Sequence, residues 1–199
     1  MLLVTDLTGI WFEVSEQYKK LTEEFLKKHG AKRMASWSNY AKPARTGKIS
    51  YEEALRLWFK ECGIEERNIV KKFFEFENRV LKDVLIFKGK EVLEELSGKI
   101  RIIGLTDAPK PREEIVKILK TGGTDKYFHD VFSSHDIKAE KPEAFEIIRK
   151  KFGEFVFLGH EDDEILGARK LGIKTIGLRN GNADIVIREL HDLLKIFLR

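Results

Sequence analysis

The chain has 199 residues, of which 42% are apolar and 35% are charged, and its 37 basic and 33 acidic residues give a net charge of +4. This composition excludes a disordered chain and allows one core domain with a modest insertion. The charges alternate in sign along the helical stretches, which predicts solvated helix faces and no nucleic-acid partner. The single cysteine excludes an intramolecular disulfide. No run of about 18 apolar residues is present, so we expect a cytoplasmic protein without a membrane partner. The expected oligomeric state is a monomer or a homodimer.

The chain opens on MLLVTDLTGIW, residues 1–11, whose apolar residues LLVT predict a short buried strand. This strand is expected to end at Asp6. Leu7, Thr8 and Gly9 then predict a turn. Because ligands of open α/β sheets bind beyond the carboxyl ends of the strands, Asp6 is a candidate functional carboxylate.

Residues 13–82 predict helices and no strand. Helical periodicity covers residues 15–30, 50–63 and 69–81, and a capping box of Ser50 and Glu53 opens the second of these stretches. Residues 31–48 have no clear period, and we interpret them as a loop with a short helix. The segment as a whole is therefore expected to be a helical insertion.

Beyond residue 82 the predicted strands and helices alternate. The strands are expected at residues 100–105, 131–133, 155–158 and 174–178, and the helices at residues 89–96, 111–120, 142–152, 165–171 and 190–198. This alternation predicts an α/β fold with a Rossmann-like, mostly parallel sheet and helices on both of its faces. The expected organisation is an α/β core of residues 1–12 and 83–199, interrupted by the insertion of residues 13–82.

Polar residues follow three of the predicted strands. Asp6 comes after the first strand, Thr106 and Asp107 come after a later one, and the acidic run HEDDE occupies residues 160–164 after another. Lys141 precedes a predicted helix between the last two. Since parallel strands end at the same edge of a sheet, we expect these side chains to converge.

In order and spacing, these segments resemble the four motifs of the haloacid dehalogenase (HAD) superfamily over essentially the whole chain. The segments are TDLTGI with Asp6, GLTDAP with Thr106, AEKPEAF with Lys141, and LGHEDDEILGARKLGIKTIGL at residues 158–178. The resemblance implies the family's Rossmann-like core with residues 13–82 as its helical cap. Caps supply substrate specificity in this family, and the candidates are Trp37, Tyr40 and Arg45, whose alternative role is to pack the cap.

The resemblance implies a phosphatase-like hydrolase that acts on a small phosphorylated metabolite. Asp6 would attack the phosphate and form an aspartyl phosphate, which water then hydrolyses. Thr106 would donate a hydrogen bond to the phosphoryl oxygens, and Lys141 would offset the negative charge. The substrate-binding residues implied by the resemblance are Leu7, Thr8, Gly9 and Asp107, the turn contributing its backbone amides.

A magnesium ion is the cofactor that the resemblance implies. The candidate ligands are Asp6, the Thr8 carbonyl oxygen, Glu161, Asp162 and Asp163. In the family's acidic motif, however, His160 and Glu164 stand where two aspartates are usual. Because imidazole suits transition metals better than Mg²⁺, we also consider Mn²⁺, Co²⁺ or Ni²⁺.

The first motif departs from the family's phosphatases, which carry Asp-x-Asp-Gly-Thr, at Thr8 and Ile10. A threonine cannot supply the general acid and base catalysis of the second aspartate, which contributes about 10²- to 10⁴-fold, so slow turnover is expected. One alternative is a catalytically degenerate HAD-fold protein that binds a ligand or partner. Another is a 2-haloacid dehalogenase-like hydrolase. Those enzymes also lack the second aspartate, but they use an arginine after the first motif, where this chain has Trp11 and Phe12.

Overall fold

The computed structural model describes residues 1–198. Eight β-strands and ten α-helices lie within these residues. The strands are β1 (Leu2–Thr5), β2 (Phe12–Val14), β3 (Leu85–Phe87), β4 (Arg101–Thr106), β5 (Asp130–Ser133), β6 (Val156–Gly159), β7 (Lys174–Leu178) and β8 (Ile185–Ile187). The helices are α1 (Glu16–Lys28), α2 (Ser38–Arg45), α3 (Tyr51–Glu61), α4 (Ile69–Val84), α5 (Lys90–Ser97), α6 (Arg112–Thr121), α7 (Ser134–Ile137), α8 (Glu143–Phe152), α9 (Asp162–Lys170) and α10 (Asp192–Phe197).

Six strands form one parallel sheet in the order β5–β4–β1–β6–β7–β8. Strand β1 lies inside the sheet, where Leu3 is opposite Ile102 of β4 on one side and Val156 of β6 on the other. All four residues of β1 are buried, as expected for a parallel strand covered on both faces. The predicted fold class, a Rossmann-like parallel sheet, is confirmed.

The two faces of the sheet bury different hydrophobic clusters, because successive strand residues point to opposite faces. Leu3 and Ile102 belong to a cluster that includes residues of α5, α6 and α10. Val4 and Ile103 belong to a second cluster, with residues of α8 and α9. Strand β1 is thus fixed from both sides, and the residue that follows it is held in a defined position.

Helices α1, α3 and α4 enclose a third cluster, which is rich in aromatic residues. The rings of Phe25 and Phe59 each lie 5.4 Å, between centroids, from the ring of Phe73. The predicted cap of α3 forms, since the Glu53 amide donates to Ser50 Oγ at 3.1 Å. Helix α2, inside the predicted loop of residues 31–48, packs against α3.

A two-stranded antiparallel ribbon of β2 and β3 connects the sheet region to helices α1–α4. Its register pairs Glu13 with Ile86 and Val14 with Leu85. The expectation that residues 13–82 contain no strand is therefore wrong at its first two residues. Three-residue strands carry too little periodicity to be predicted, and these two partners are far apart in the sequence.

Two other short elements, α7 and β8, also lie outside the predicted set. Strand β8 pairs with β7 and forms one edge of the sheet. Its three residues are partly buried, exposed and buried in turn, as is usual at a sheet edge. Three residues are too few for this alternation to be recognised in the sequence. Within residues 1–198, no helix combines the length and apolar character needed to cross a membrane.

Candidate active site

Asp6 follows β1 directly, at the carboxyl edge of the sheet between β4 and β6. Its backbone amide donates to the Leu158 carbonyl of β6 at 2.9 Å, so the sheet fixes the position of its backbone. Asp6 is only 4% exposed. A carboxylate buried to this extent requires a charged or hydrogen-bonding partner.

Lys141 is that partner. Its side chain is fully buried, its Nζ donates to Asp6 Oδ1 at 2.7 Å, and it also contacts Glu164 Oε1. Asp107 Oδ2 lies 3.9 Å from the same nitrogen. Burial alone would lower the pKa of Lys141, but the negative charges of the three carboxylates outweigh it and raise this pKa above its ordinary value. The ammonium group therefore stays charged beside Asp6.

The turn of residues 7–9 follows Asp6 and is closed by backbone hydrogen bonds. The Trp11 amide donates to the Leu7 carbonyl at 2.9 Å, and the Gly9 amide donates to the Phe12 carbonyl at 2.7 Å. Of the three amides predicted to bind phosphate, the one of Gly9 is therefore already engaged. Gly9 has φ = +83°, and a Cβ at this position would lie 2.4 Å from His160 Nε2, so glycine is required both for the turn and for the imidazole beside it.

Thr106 and Asp107 come from the end of β4. Thr106 is 5% exposed, and Asp107 Oδ1 accepts a hydrogen bond from the Lys141 backbone amide at 3.2 Å. Burial raises the pKa of Asp107 from its ordinary value of 3.8 to about 6, against the opposing effect of the Lys141 charge. The structure therefore brings Asp6, Thr106, Asp107 and Lys141 to one edge of the sheet.

This pKa leads to a prediction for Asp107→Asn. The folded state holds a proton on Asp107 up to about pH 6, whereas the unfolded chain releases it near 3.8, so wild-type stability falls over this range relative to the variant. The rise in pKa corresponds to at most about 3 kcal/mol. We expect urea denaturation to give the variant the higher free energy of unfolding at pH 7, and the difference to vanish at pH 3.5. A difference that does not change with pH would contradict the assignment.

His160 and Glu164 complete the site from the end of β6 and the first turn of α9. Among residues 1–198, Asp6, His160 and Glu164 form the one group of three candidate metal ligands, with ligand atoms all within 4.8 Å of one another. His160 Nδ1 lies 3.6 Å from Asp6 Oδ2. Both His160 Nδ1 and Glu164 Oε2 are buried without a hydrogen-bond partner. Burial raises the pKa of Glu164 to about 7, and the Asp6 charge adds to this while Lys141 opposes it.

Two carboxylates and an imidazole can hold a divalent cation. The two buried atoms without partners, one nitrogen and one oxygen, are of the kind that coordinate transition metals. Magnesium prefers an octahedral set of oxygen ligands. The residues present therefore fit Mn²⁺, Co²⁺ or Ni²⁺ better than they fit Mg²⁺.

The predicted ligands Glu161, Asp162 and Asp163 do not join this group. All three are exposed, and Asp162 Oδ1 instead accepts hydrogen bonds from the side-chain amides of Asn180 and Asn182 at 2.9 Å each. They stand at the N-terminus of α9, where negative charge interacts favourably with the helix dipole. Glu164 reaches the site because it lies four residues after His160. The spacing of the family motif already contained that signal.

A cavity of about 610 Å³ lies between α1, α3, α4 and the sheet edge. Thr8, Thr106 and Asp107 line one part of it. Of the cap residues predicted to face the substrate, Trp37 lines this cavity, whereas Tyr40 is not among the lining residues. Arg45 does not line the cavity. Its Nη1 lies 3.5 Å from Oε1 of Glu140, the residue that precedes Lys141 in the chain.

Solved structures share this fold over nearly the entire chain. A 2-haloacid dehalogenase from Pseudomonas syringae superposes with a TM-score of 0.70 at 16% identity, covering 100% of this chain and 98% of that one. A HAD phosphatase from Thermococcus onnurineus gives a TM-score of 0.64 at 22% identity, with 98% and 96% covered. A HAD hydrolase from Bacillus subtilis, described as bound to magnesium, gives 0.67 at 18% identity, with 100% and 98% covered.

The protein therefore has the HAD fold, as the motif resemblance predicts. No family model matches the sequence, and no curated protein matches it either. At these identities the likeness establishes the fold, and the chemistry has to be argued from the residues of the site.

Proposed function

We propose that this protein is a phosphoric monoester hydrolase that uses Asp6 as its nucleophile, with residues 13–82 acting as a cap over the site. The observation that carries this proposal is the buried Asp6 at the end of β1, held by Lys141 Nζ at 2.7 Å. An aspartate that is buried, paired with the Lys141 ammonium group and placed at the edge where α/β sheets bind ligands suits nucleophilic attack. The phosphatases and other hydrolases among the structural relatives support the general reaction class.

The proposed reaction has two steps. In the first, an Asp6 carboxylate oxygen attacks phosphorus, and the bond between phosphorus and the ester oxygen breaks with its electron pair going to that oxygen, which takes a proton from water and leaves as the alcohol. In the second, water attacks the aspartyl phosphate, which releases phosphate and restores Asp6. Lys141 balances the charge of the phosphoryl oxygens, and Thr106 donates a hydrogen bond to them.

A divalent cation would be held by Asp6, His160 and Glu164, whose ligand atoms lie close together, rather than by the exposed Glu161, Asp162 and Asp163. Such an ion supplies positive charge and a template for the phosphate group. The resemblance implies Mg²⁺, and the structural relative with bound magnesium supports a divalent metal in this fold. The imidazole of His160 favours Mn²⁺, Co²⁺ or Ni²⁺ over Mg²⁺ in this chain.

The second candidate function is ligand binding without turnover, because Thr8 lacks the proton-transfer group of the usual second aspartate. In this version the site would bind a phosphorylated ligand or a partner without hydrolysing it. Dehalogenation of 2-haloacids has less support. The residues that line the cavity in the described chain include no arginine, although one structural relative is a 2-haloacid dehalogenase.

The test is phosphate release from p-nitrophenyl phosphate with Mg²⁺, Mn²⁺, Co²⁺ or Ni²⁺, for the wild type beside Thr8→Asp and Thr8→Asn. We expect slow wild-type turnover, which is faster with a transition metal than with Mg²⁺. Thr8→Asp restores a proton-transfer group and should raise kcat about 100-fold. Thr8→Asn is the matched control, because it has the same size but cannot exchange a proton, and should leave kcat near the wild-type value. No release by any variant with any metal would refute the hydrolase.

A further inference from the structure

We infer that the alcohol part of the substrate is bulky and apolar, such as a fused aromatic ring, and that it carries no second anionic group. This inference rests on the proposed function and names the substrate class of the same site. Three properties of the cavity between the helices and the sheet edge support this inference: its volume, its apolar lining, and the pairing of its charged residues with one another.

The cavity is large and its walls are mostly apolar. Its volume of about 610 Å³ is that of a pocket for a ligand considerably larger than a two- or three-carbon phosphate. The apolar residues of its lining include Phe12, Leu26, Trp37, Leu55, Trp58 and Phe73. Such walls gain free energy by removing apolar ligand surface from water, and they offer a sugar hydroxyl few hydrogen-bond partners.

The cavity extends to the carboxyl edge of the sheet, where its lining includes residues next to Asp6. Thr8, Thr106 and Asp107 belong both to its lining and to the segments around Asp6 and Lys141. A phosphate placed at Asp6 would therefore direct its ester group into the cavity. The leaving alcohol, rather than the phosphate, is the part that the apolar walls would contact.

The charged groups in the cavity wall already bind one another within the protein. Glu77 of α4 is 4% exposed, and its two oxygens accept hydrogen bonds from Lys110 Nζ at 2.8 and 3.0 Å. Tyr18 donates its hydroxyl to the same carboxylate, and the Tyr51 hydroxyl lies 3.4 Å from Glu77 Oε2. Lys110 is thus committed to Glu77 and is not available to a second phosphate or carboxylate on the substrate.

The remaining charges do not make the cavity cationic. The lysines and carboxylic acids of the lining, taken together, are Lys19, Lys110, Glu23, Glu77 and Asp107. Two lysines face three carboxyl groups, so an anionic substituent on the leaving alcohol would meet no excess of positive charge and would be repelled by the acidic groups.

The experiment compares three esters with related phenolic leaving groups: 1-naphthyl phosphate, phenyl phosphate and 4-carboxyphenyl phosphate. With the full chain and Mn²⁺, we expect kcat/KM to be highest for the naphthyl ester and lowest for the carboxyphenyl ester, with at least about tenfold between these two. Turnover of the carboxyphenyl ester equal to or faster than that of the naphthyl ester would overturn the inference while leaving the hydrolase intact.

The matched variants are Trp37→Ala and Tyr40→Ala, which both shorten a partly buried aromatic residue at the same end of the cap. Of these two residues, Trp37 lines the cavity and Tyr40 does not. Trp37→Ala should lower the preference for the naphthyl over the phenyl ester at least about threefold, mainly through KM, and Tyr40→Ala should leave this preference unchanged. The preference is a ratio for one protein, so a general loss of stability does not mimic the effect. Equal effects of the two variants would contradict the assigned pocket.

A binding measurement keeps the inference testable if no ester is hydrolysed. Isothermal titration calorimetry with (1-naphthylmethyl)phosphonate and phosphonoacetate compares an apolar and an anionic ligand with a non-hydrolysable phosphoryl group. We expect the naphthyl compound to bind at least about tenfold more tightly. Equal or tighter binding of phosphonoacetate would refute the apolar substrate class, whereas absence of turnover alone would refute only the hydrolase.

Discussion

Replacing Asp6 by asparagine is expected to lower phosphate release at least about 10⁴-fold, since an amide of the same shape cannot attack phosphorus. The variant should remain folded. Asparagine keeps an oxygen that can accept the hydrogen bond from Lys141 Nζ, and Glu164 and Asp107 still balance the ammonium charge. Phosphate release and thermal melting, measured on the same preparations, separate loss of chemistry from loss of fold.

The control for this prediction is Asp163→Asn. Asp163 lies in the acidic run near the site but is exposed and outside the group of Asp6, His160 and Glu164. We expect its turnover to stay within about twofold of the wild type, as for an ordinary surface substitution. Substantial activity of Asp6→Asn would show that another residue is the nucleophile. A large loss in Asp163→Asn would return this residue to the metal site.

Replacing Lys141 by methionine is expected to lower the free energy of unfolding by about 3–5 kcal/mol and to abolish turnover. Three carboxylates contact or lie near the Lys141 ammonium, and its removal leaves the buried Asp6 and Glu164 and the partly buried Asp107 without a compensating charge. Methionine is close to lysine in length, so packing changes little. Urea denaturation at pH 7 measures the loss.

A second variant distinguishes electrostatics from packing at Lys141. In Lys141→Met combined with Glu164→Gln, one uncompensated carboxylate is gone, so the double variant should be more stable than Lys141→Met alone. Lys150→Met on the exposed side of α8 serves as the control and should change the free energy of unfolding by no more than about 0.5 kcal/mol. Wild-type stability of Lys141→Met would contradict the role of Lys141 as the central cation of the site.

Much of the site could be predicted because its residues stand at strand ends. LLVT is long enough to identify β1, and a parallel sheet necessarily brings the residues after β1, β4 and β6 to one edge. The approach of Lys141 to Asp6 is less constrained by topology, since Lys141 precedes a helix. Its position followed from the motif resemblance.

The candidate metal ligands are harder to predict because the acidic run offers several carboxylates within one helical turn. Sequence position alone does not tell which of them points to Asp6. The direction is set by α9, which turns Glu164 inward and leaves Asp163 exposed. The ribbon of β2 and β3 could not be predicted for a different reason, since its strands are too short to have a period and are separated in the sequence by helices α1–α4.

The cavity from which we infer the substrate class could not be predicted from periodicity. Helical spacing identifies the apolar faces of α1, α3 and α4, but it cannot tell which apolar residues pack against one another and which leave a space. The ion pair of Glu77 and Lys110 joins α4 to the loop after Asp107, two regions without a sequence pattern in common. Such contacts appear only once the segments are placed in three dimensions.

The formation of a phosphoryl group on Asp6 is the central claim, and trapping it is the most direct measurement. The full chain is incubated with Mn²⁺ and acetyl phosphate, quenched in acid and analysed by peptide mass spectrometry beside Asp6→Asn. We predict that the N-terminal peptide of the wild type gains the mass of one phosphoryl group at Asp6 and that the variant gains none. Phosphorylation at another residue, or equal labelling of both proteins, would contradict the account.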